Sequence, residues 1–209
     1  LGILADKQGA YDRAEQHYEK SLALAREIGY RKLESMTLDT IGIVAANRGA
    51  YDRAEQYYEE SLELAQELGD RQGEAVTLSN LGDVSRRCGA YDRAEQQYEE
   101  SLSLKRELGD RTGEANSLID LAAVARRRGR TERARRLVAD AREITTEVEN
   151  TRVRLRSLYA RGAVARQLDT DDDPATYLDE ALAVTDTDEL RHERATVRLE
   201  RGRLALDRG

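Results

Sequence analysis

Phenylalanine and tryptophan are absent, and every one of the ten aromatic residues is tyrosine. A thick single core usually draws on larger apolar rings, so this composition favours a thin, elongated core of Ala, Leu, Val and Tyr. Proline occurs once, at Pro174, leaving almost nothing to interrupt helices. The single cysteine, Cys88, excludes an intramolecular disulfide framework and suits a reducing compartment, so a cytoplasmic location is expected. No apolar run is long enough to span a membrane, and no secretory leader is visible, so no membrane partner is expected. Positive charge is not in excess: the net charge of −7 gives no general reason to bind nucleic acid or anionic lipid. Arginine outnumbers lysine 30 to 4, which reads as coding bias before function.

What the sequence has is repetition. Gly9, Gly49, Gly89, Gly129 and Gly209 are spaced by forty residues or a multiple of forty, with Asp169 at the vacant place. Residues 50–89 and 90–129 align without a gap, with 27 identities in 40. A fixed period of this length points to stacked repeats rather than one compact fold.

Each period reads as two helices. Asp70 caps a helix through Leu78, Leu81 and Val84 that stops at Gly89, a residue suited to left-handed helix-ending geometry. A second helix starts near Tyr91, with Asp92 at its positive end and Tyr91, Ala94, Tyr98, Leu102 and Leu104 inward at mostly helical spacing. Gly109 ends it and Asp110 opens the next unit. No segment sustains period-two alternation, so no sheet is expected. One hairpin cannot bury its own apolar stripe; stacked hairpins share a continuous core. Gly2, Gly42 and Gly82 are expected opposite Ala14, Ala54 and Ala94, with Tyr18, Tyr58 and Tyr98 filling the space between hairpins.

The string Asn80-Leu81-Gly82, followed by Gly89, Tyr91-Asp92, Ala94, Tyr98 and Leu102, resembles the tetratricopeptide repeat signature. The usual proline after the second helix is missing, and Lys105-Arg106-Glu107-Leu108 extends the unit to forty residues. This variant resembles the long-helix repeats of LGN/Pins polarity adaptors, kinesin light chains and MalT-like regulator arms. The resemblance implies an all-α, right-handed superhelical solenoid of antiparallel helix pairs with about five forty-residue repeats. It divides the chain, read as one solenoid over 1–209, into units 30–69, 70–109, 110–149 and 150–189, with partial units 1–29 and 190–209. Because both ends fall inside a unit, a fragment of a longer protein is expected.

Later units depart from the pattern. Thr131 and Val138 replace signature tyrosines and Ala122 replaces the glycine; Pro174 takes the place of Ala94, and Leu178 that of Tyr98. Arg161 and Arg201 stand where earlier units are apolar. Residues 169–173, Asp-Thr-Asp-Asp-Asp, read as a solvated turn, with Asp173 capping a helix begun by Pro174.

Catalytic chemistry finds no foothold. His17 and His192 are far apart in register, and the place of His17 holds Tyr57 and Gln97 in other units. There is no Cys/His metal spacing, phosphate loop or nucleophile elbow, and the run Glu95, Glu99, Glu100 reads as a solvated face. No enzyme activity, cofactor or metal is expected.

In tetratricopeptide proteins the first helix of each pair lines the concave surface. By register the resemblance selects Asp39, Ile43, Ala46 and Asn47 from the first full unit, and Ser79, Asp83, Arg86 and Arg87 from the second. Ile119, Ala123, Arg126 and Arg127 follow, then Tyr159, Ala163 and Arg166. Arg86, Arg126 and Arg166 recur at the period and Arg87 and Arg127 add a shorter row, a pattern suited to carboxylates or phosphates. The competing reading is that these arginines stabilise helix C-termini or pair with neighbouring acids. The clamp by which chaperone-binding relatives hold a C-terminal carboxylate needs Lys and Asn where this chain has Ile43, Asp83 and Ala123, so chaperone tails are not expected.

Residues 125–168 carry 13 arginines and 5 acidic side chains, a net +8, between stretches at −9 and −6. The basic block over 126–136 could meet nucleic-acid phosphates, but the acidic flanks and Tyr159 as sole stacking aromatic disfavour it. The expected function is a protein-interaction scaffold that binds a peptide or helix, acidic in character, in the concave groove. The resemblance to regulator arms extends this to a sensor or scaffold arm of a larger signalling or transcription regulator. A small-molecule-sensing arm and a self-assembly element remain as alternatives, and the sequence is silent on oligomeric state.

Overall fold

A computed structural model of the protein describes residues 2–166, 173–184 and 191–206, and these fold as helices joined by short turns. The helices are α1 (Gly2–Glu27), α2 (Arg31–Asn47), α3 (Tyr51–Leu68), α4 (Arg71–Arg87), α5 (Tyr91–Glu107), α6 (Arg111–Arg127), α7 (Thr131–Glu147), α8 (Thr151–Ala165), α9 (Pro174–Val184) and α10 (Arg191–Leu206). The all-α expectation holds, and consecutive helices pack in pairs, α2 on α3, α4 on α5, α6 on α7 and α8 on α9. The chain forms two compact units, residues 1–108 and 109–209.

Glycine sets most of the turns. Gly29, Gly49, Gly69, Gly89, Gly109 and Gly129 all have φ between 65° and 78°, a conformation that costs other L-residues a clash at Cβ. On the far side of the turn, the Asp70 carboxylate accepts from the Gly73 N–H at 3.0 Å, and Asp110 does the same for Gly113 at 2.8 Å. Asp173 accepts from the Ala175 N–H at 2.9 Å, as expected for the cap of the proline-led helix α9. Asp169–Asp172 and Gly209 lie outside the described residues.

Gly9 departs from the pattern: α1 runs straight through it. Tyr18 is 36% exposed, against 2% for Tyr58 and 0% for Tyr98.

The glycines inside first helices meet a tyrosine ring at close range. A Cβ on Gly42 would lie 2.5 Å from the Tyr58 ring, and one on Gly82 would lie 2.6 Å from the Tyr98 ring. The tyrosine thus seats over the glycine of its own hairpin, where only a bare backbone leaves room for the ring, and Tyr58 also packs with Leu81 and Val84 of the next hairpin, as expected. In the first unit the core joins Ala45, Ala54, Tyr58, Leu81 and Val84. In the second unit, Ala122 packs with Val138, one residue enlarged and the other reduced.

Polar groups are also buried at regular places. The Ser61 hydroxyl donates to the Ser35 carbonyl at 2.9 Å, and the Ser101 hydroxyl donates to the Ala75 carbonyl at 2.6 Å. Small hydroxyls let the helices approach and meet each other's backbone without an orphaned group. Arginines at the start of first helices tie each hairpin to the end of its own second helix: Arg71 meets Glu107 at 2.7 Å and Arg111 meets Glu147 at 2.8 Å. Arg31 pairs with Glu67 in the same way, whereas Arg93 on α5 pairs with Glu55 on α3 and joins successive hairpins.

Candidate functional site

In the first unit the expected ligand-facing residues lie on α2 and α4, and most are tied to neighbours. Asp39 accepts from the Asn80 amide at 3.0 and 3.1 Å and from the Thr77 hydroxyl at 3.2 Å. Burial pushes its carboxyl above the usual carboxylate range, against the opposing effect of those hydrogen bonds. The Ser79 hydroxyl is 2.8 Å from that of Ser101 and accepts from the buried Lys105 ammonium at 2.7 Å. Ile43, Asn47 and Arg87 are exposed.

Arg86 sits in a closed charge centre. Its Nη2 donates to Asp83 at 2.8 Å and its Nε to the Tyr98 hydroxyl at 3.3 Å, while that hydroxyl donates to Asp83 at 2.8 Å. Burial opposes the charge on Arg86, but the hydrogen bonds with Asp83 and Tyr98 outweigh it and hold the guanidinium firmly protonated. The tyrosine that packs on Gly82 therefore also orders the polar face above it.

The second unit repeats the arginine without its counter-charge. Ala123 on α6 takes the register place of Asp83, and Val138 on α7 takes that of Tyr98. Arg126 is half-buried and makes no hydrogen bond or ion pair among the described residues. Its pKa is lowered, first by burial and then by the like charges of Arg127 and Arg166. Arg127 at the end of α6 and Arg166 after α8 are exposed. Such a half-buried guanidinium with cationic neighbours is a place where an incoming carboxylate or phosphate gains most. Of the remaining expected residues, Ile119 is corrected: it is 6% exposed and belongs to the core, because α8 packs alongside α6.

Beside Arg166 lies a cavity of about 220 Å³. Helix α8 contributes Tyr159, Gly162 and Ala163 to it, α9 contributes Pro174 and Leu178, and α10 contributes Leu204. The two arginines at formerly apolar places are accommodated locally. Arg161 lies 4.2 Å from the centroid of the Tyr177 ring, a cation–π contact, and Arg201 pairs with Asp179 at 2.9 Å. In the basic block, Arg128, Arg130 and Arg133 all have partners, and Arg135 is 3.8 Å from Glu132. Sequence reasoning selected Arg126, Arg166 and Tyr159 but missed the cavity between α8 and α9. Its signal was present in the register, which matches a glycine, Gly162, with a leucine, Leu178, where other hairpins match glycine with tyrosine or alanine with valine.

A family model described as tetratricopeptide repeat matches residues 1–67, 33–107 and 73–147. No curated protein matches. Among solved structures, the apo form of RapI is similar at 14% identity over 96% of this chain and 73% of its own, with a TM-score of 0.80. NprR in complex with its cognate peptide NprX is 16% identical over 97% of this chain and 58% of its own, with a TM-score of 0.74. BtubC from P. vanneervenii is 20% identical, covering 95% and 92%, with a TM-score of 0.60. At these identities the likeness speaks to the fold.

Proposed function

This chain belongs to the tetratricopeptide repeat family, and from that premise we propose that it is a non-enzymatic protein-interaction scaffold that holds an acidic peptide or helix of a partner against its first helices. The observation that carries the acidic character is Arg126, half-buried beside Arg127 and Arg166 without an anion of its own. A peptide carboxylate supplies there what Asp83 supplies to Arg86. NprR, which shares this fold, is a protein solved with a bound peptide, and that supports a peptide as the ligand class. As a module without chemistry of its own, the chain serves as the sensor or scaffold arm of a larger cytoplasmic regulator.

Affinity capture from lysate of the source organism, at low and high salt, tests the reading. The baits are the wild type and an Arg126→Glu, Arg166→Glu variant whose helical circular dichroism is unchanged. A protein retained by the wild type at low salt and lost with the variant supports the proposal. Equal capture by both baits removes the arginines from the binding surface, and nuclease-sensitive capture points to nucleic acid instead.

A further inference from the structure

Helices α1 and α10 each leave open a face that the α2–α3 and α4–α5 hairpins bury. In register α1 is a second helix. Tyr18, Ser21 and Leu24 stand at the places of Tyr58, Ser61 and Leu64 on α3 and of Tyr98, Ser101 and Leu104 on α5. On α3 and α5 all six are at most 7% exposed. On α1, Tyr18 is 36% exposed and Leu24 is 55% exposed, although α1 packs on α2 as α3 packs on α4. Among the described residues, what α1 lacks is the contact with the first helix of a hairpin, the more extensive of the two kinds.

The register makes α10 a first helix. Ala195 and Gly202 stand at the places of Ser35 and Gly42 on α2 and of Ala75 and Gly82 on α4. Helix α10 packs on α9, yet Ala195, Arg198, Leu199 and Gly202 are exposed. A Cβ on Gly202 would meet nothing within 4 Å, whereas one on Gly42 or Gly82 would strike a tyrosine ring. Gly42 and Gly82 are already covered, and Gly162 lies beside Tyr177. Gly202 is therefore the open seat for a ring inside a first helix among the described residues, and Tyr18 is the second-helix tyrosine left in water.

We propose that copies of this chain associate head to tail, α1 of one copy serving as the second helix for α10 of the next. Tyr18 seats over Gly202 of the next copy as Tyr98 seats over Gly82. Ser21 then stands where its hydroxyl donates to the Ala195 carbonyl, as Ser61 donates to Ser35 at 2.9 Å and Ser101 to Ala75 at 2.6 Å. Leu24 covers Ala195 and the aliphatic stem of Arg198, as Leu104 meets Ala75 and Leu78. Taking Tyr18 and Leu24 out of water drives the contact. Because its two faces differ, a pair still offers one α1 and one α10, and the association repeats. The pairing is independent of the acidic-peptide reading and uses neither Arg126 nor Arg166.

Sedimentation velocity of the full chain over about 1 µM to 1 mM reads the association, for the wild type, Gly202→Ala and Tyr18→Val. In the separate chain the methyl of Gly202→Ala falls in open space, so helical circular dichroism is unchanged and Tm is kept or slightly raised. Across the contact it strikes the incoming ring, and association weakens about tenfold or more. Tyr18→Val removes the ring and weakens association to a similar degree. An equimolar mixture of the two folded variants restores it. Alternating copies then match glycine with tyrosine at one contact and alanine with valine at the next, the second being the pair that packs in α6–α7 as Ala122 with Val138. Misfolding of either variant does not produce that recovery. A wild type that keeps the monomer mass throughout the range overturns the proposal. So does association that Gly202→Ala leaves unchanged, or that fails to return in the mixture. Association that survives Gly202→Ala but is lost in Leu24→Glu assigns the α1 face to α1 of a second copy, and it too overturns the head-to-tail pairing.

Discussion

The α4–α5 hairpin of the first unit and the α8–α9 hairpin of the second start from one repeat plan and end in opposite states. In the former, Gly82, Asp83, Arg86 and Tyr98 complete one another: the ring fills the glycine gap, and its hydroxyl joins the acid and the guanidinium. In the latter the equivalent places hold Gly162, Ala163, Arg166 and Leu178, Tyr177 lies beside the glycine without crowding it, and all four register places line a cavity of about 220 Å³. The contrast teaches that one repeat plan packs differently once its tyrosine is lost. The α4–α5 hairpin spends its apolar complementarity on itself, whereas the α8–α9 hairpin keeps an apolar-lined cavity.

The largest way to break the comparison is to remove the ring. Tyr98→Ala should destabilise the chain by about 3–5 kcal/mol in urea denaturation, since it opens a cavity over Gly82 and leaves Asp83 and Arg86 without their bridging hydroxyl. Next is the glycine itself. Gly82→Ala puts a methyl 2.6 Å from the Tyr98 ring and should cost about 1–3 kcal/mol. Gly162→Ala meets only ordinary contacts and should be neutral or stabilising by up to about 1 kcal/mol from helix propensity. Equal losses at the two glycines would erase the distinction drawn between these hairpins.

A smaller effect sharpens it. Ala123→Asp gives Arg126 the counter-charge that Asp83 gives Arg86, and should raise stability by about 0.5–1 kcal/mol at low salt. The same substitution should weaken any acidic ligand, because the guanidinium is then already paired. A thermal melt and a salt titration check the two halves.

The smallest effect is electrostatic and concerns two acids of the first unit. Asp70 is held below its usual range, chiefly by the Gly73 N–H. Its stabilising contribution is therefore present above the unfolded-state value and is lost as pH falls through the lower folded value. Asp39 is raised by burial, so its contribution has the opposite sign: favourable at low pH and lost as pH rises through the raised value. Between about pH 3 and 6, Asp70→Asn should flatten the acid loss of stability. Asp39→Asn should steepen it, because the favourable protonation of Asp39 no longer offsets that loss. Denaturant midpoints measured across that range check both signs.

Much of the fold was legible from residue types in register. Glycines at the ends of hairpin helices, aspartates three residues before an N–H to be capped, and small residues facing large ones follow from backbone geometry, which is local and repeats with the period. The misreadings fall where a residue's state depends on a neighbouring helix. Gly9 holds the register place of the turn glycines Gly49, Gly89 and Gly129, yet α1 passes through it. Ile119 looked like a surface residue by register and is core.

For the candidate site the division is similar. Sequence by itself determined the repeat, the places of the arginines and the loss of Asp83 and Tyr98 equivalents in later units, since these are identities at fixed spacing. Only tertiary structure decided which arginine is already neutralised and which gap is filled. Hydrogen bonding and close packing act between side chains brought together from different helices. Their free energy depends on distances of a few tenths of an ångström that no single helix's sequence encodes.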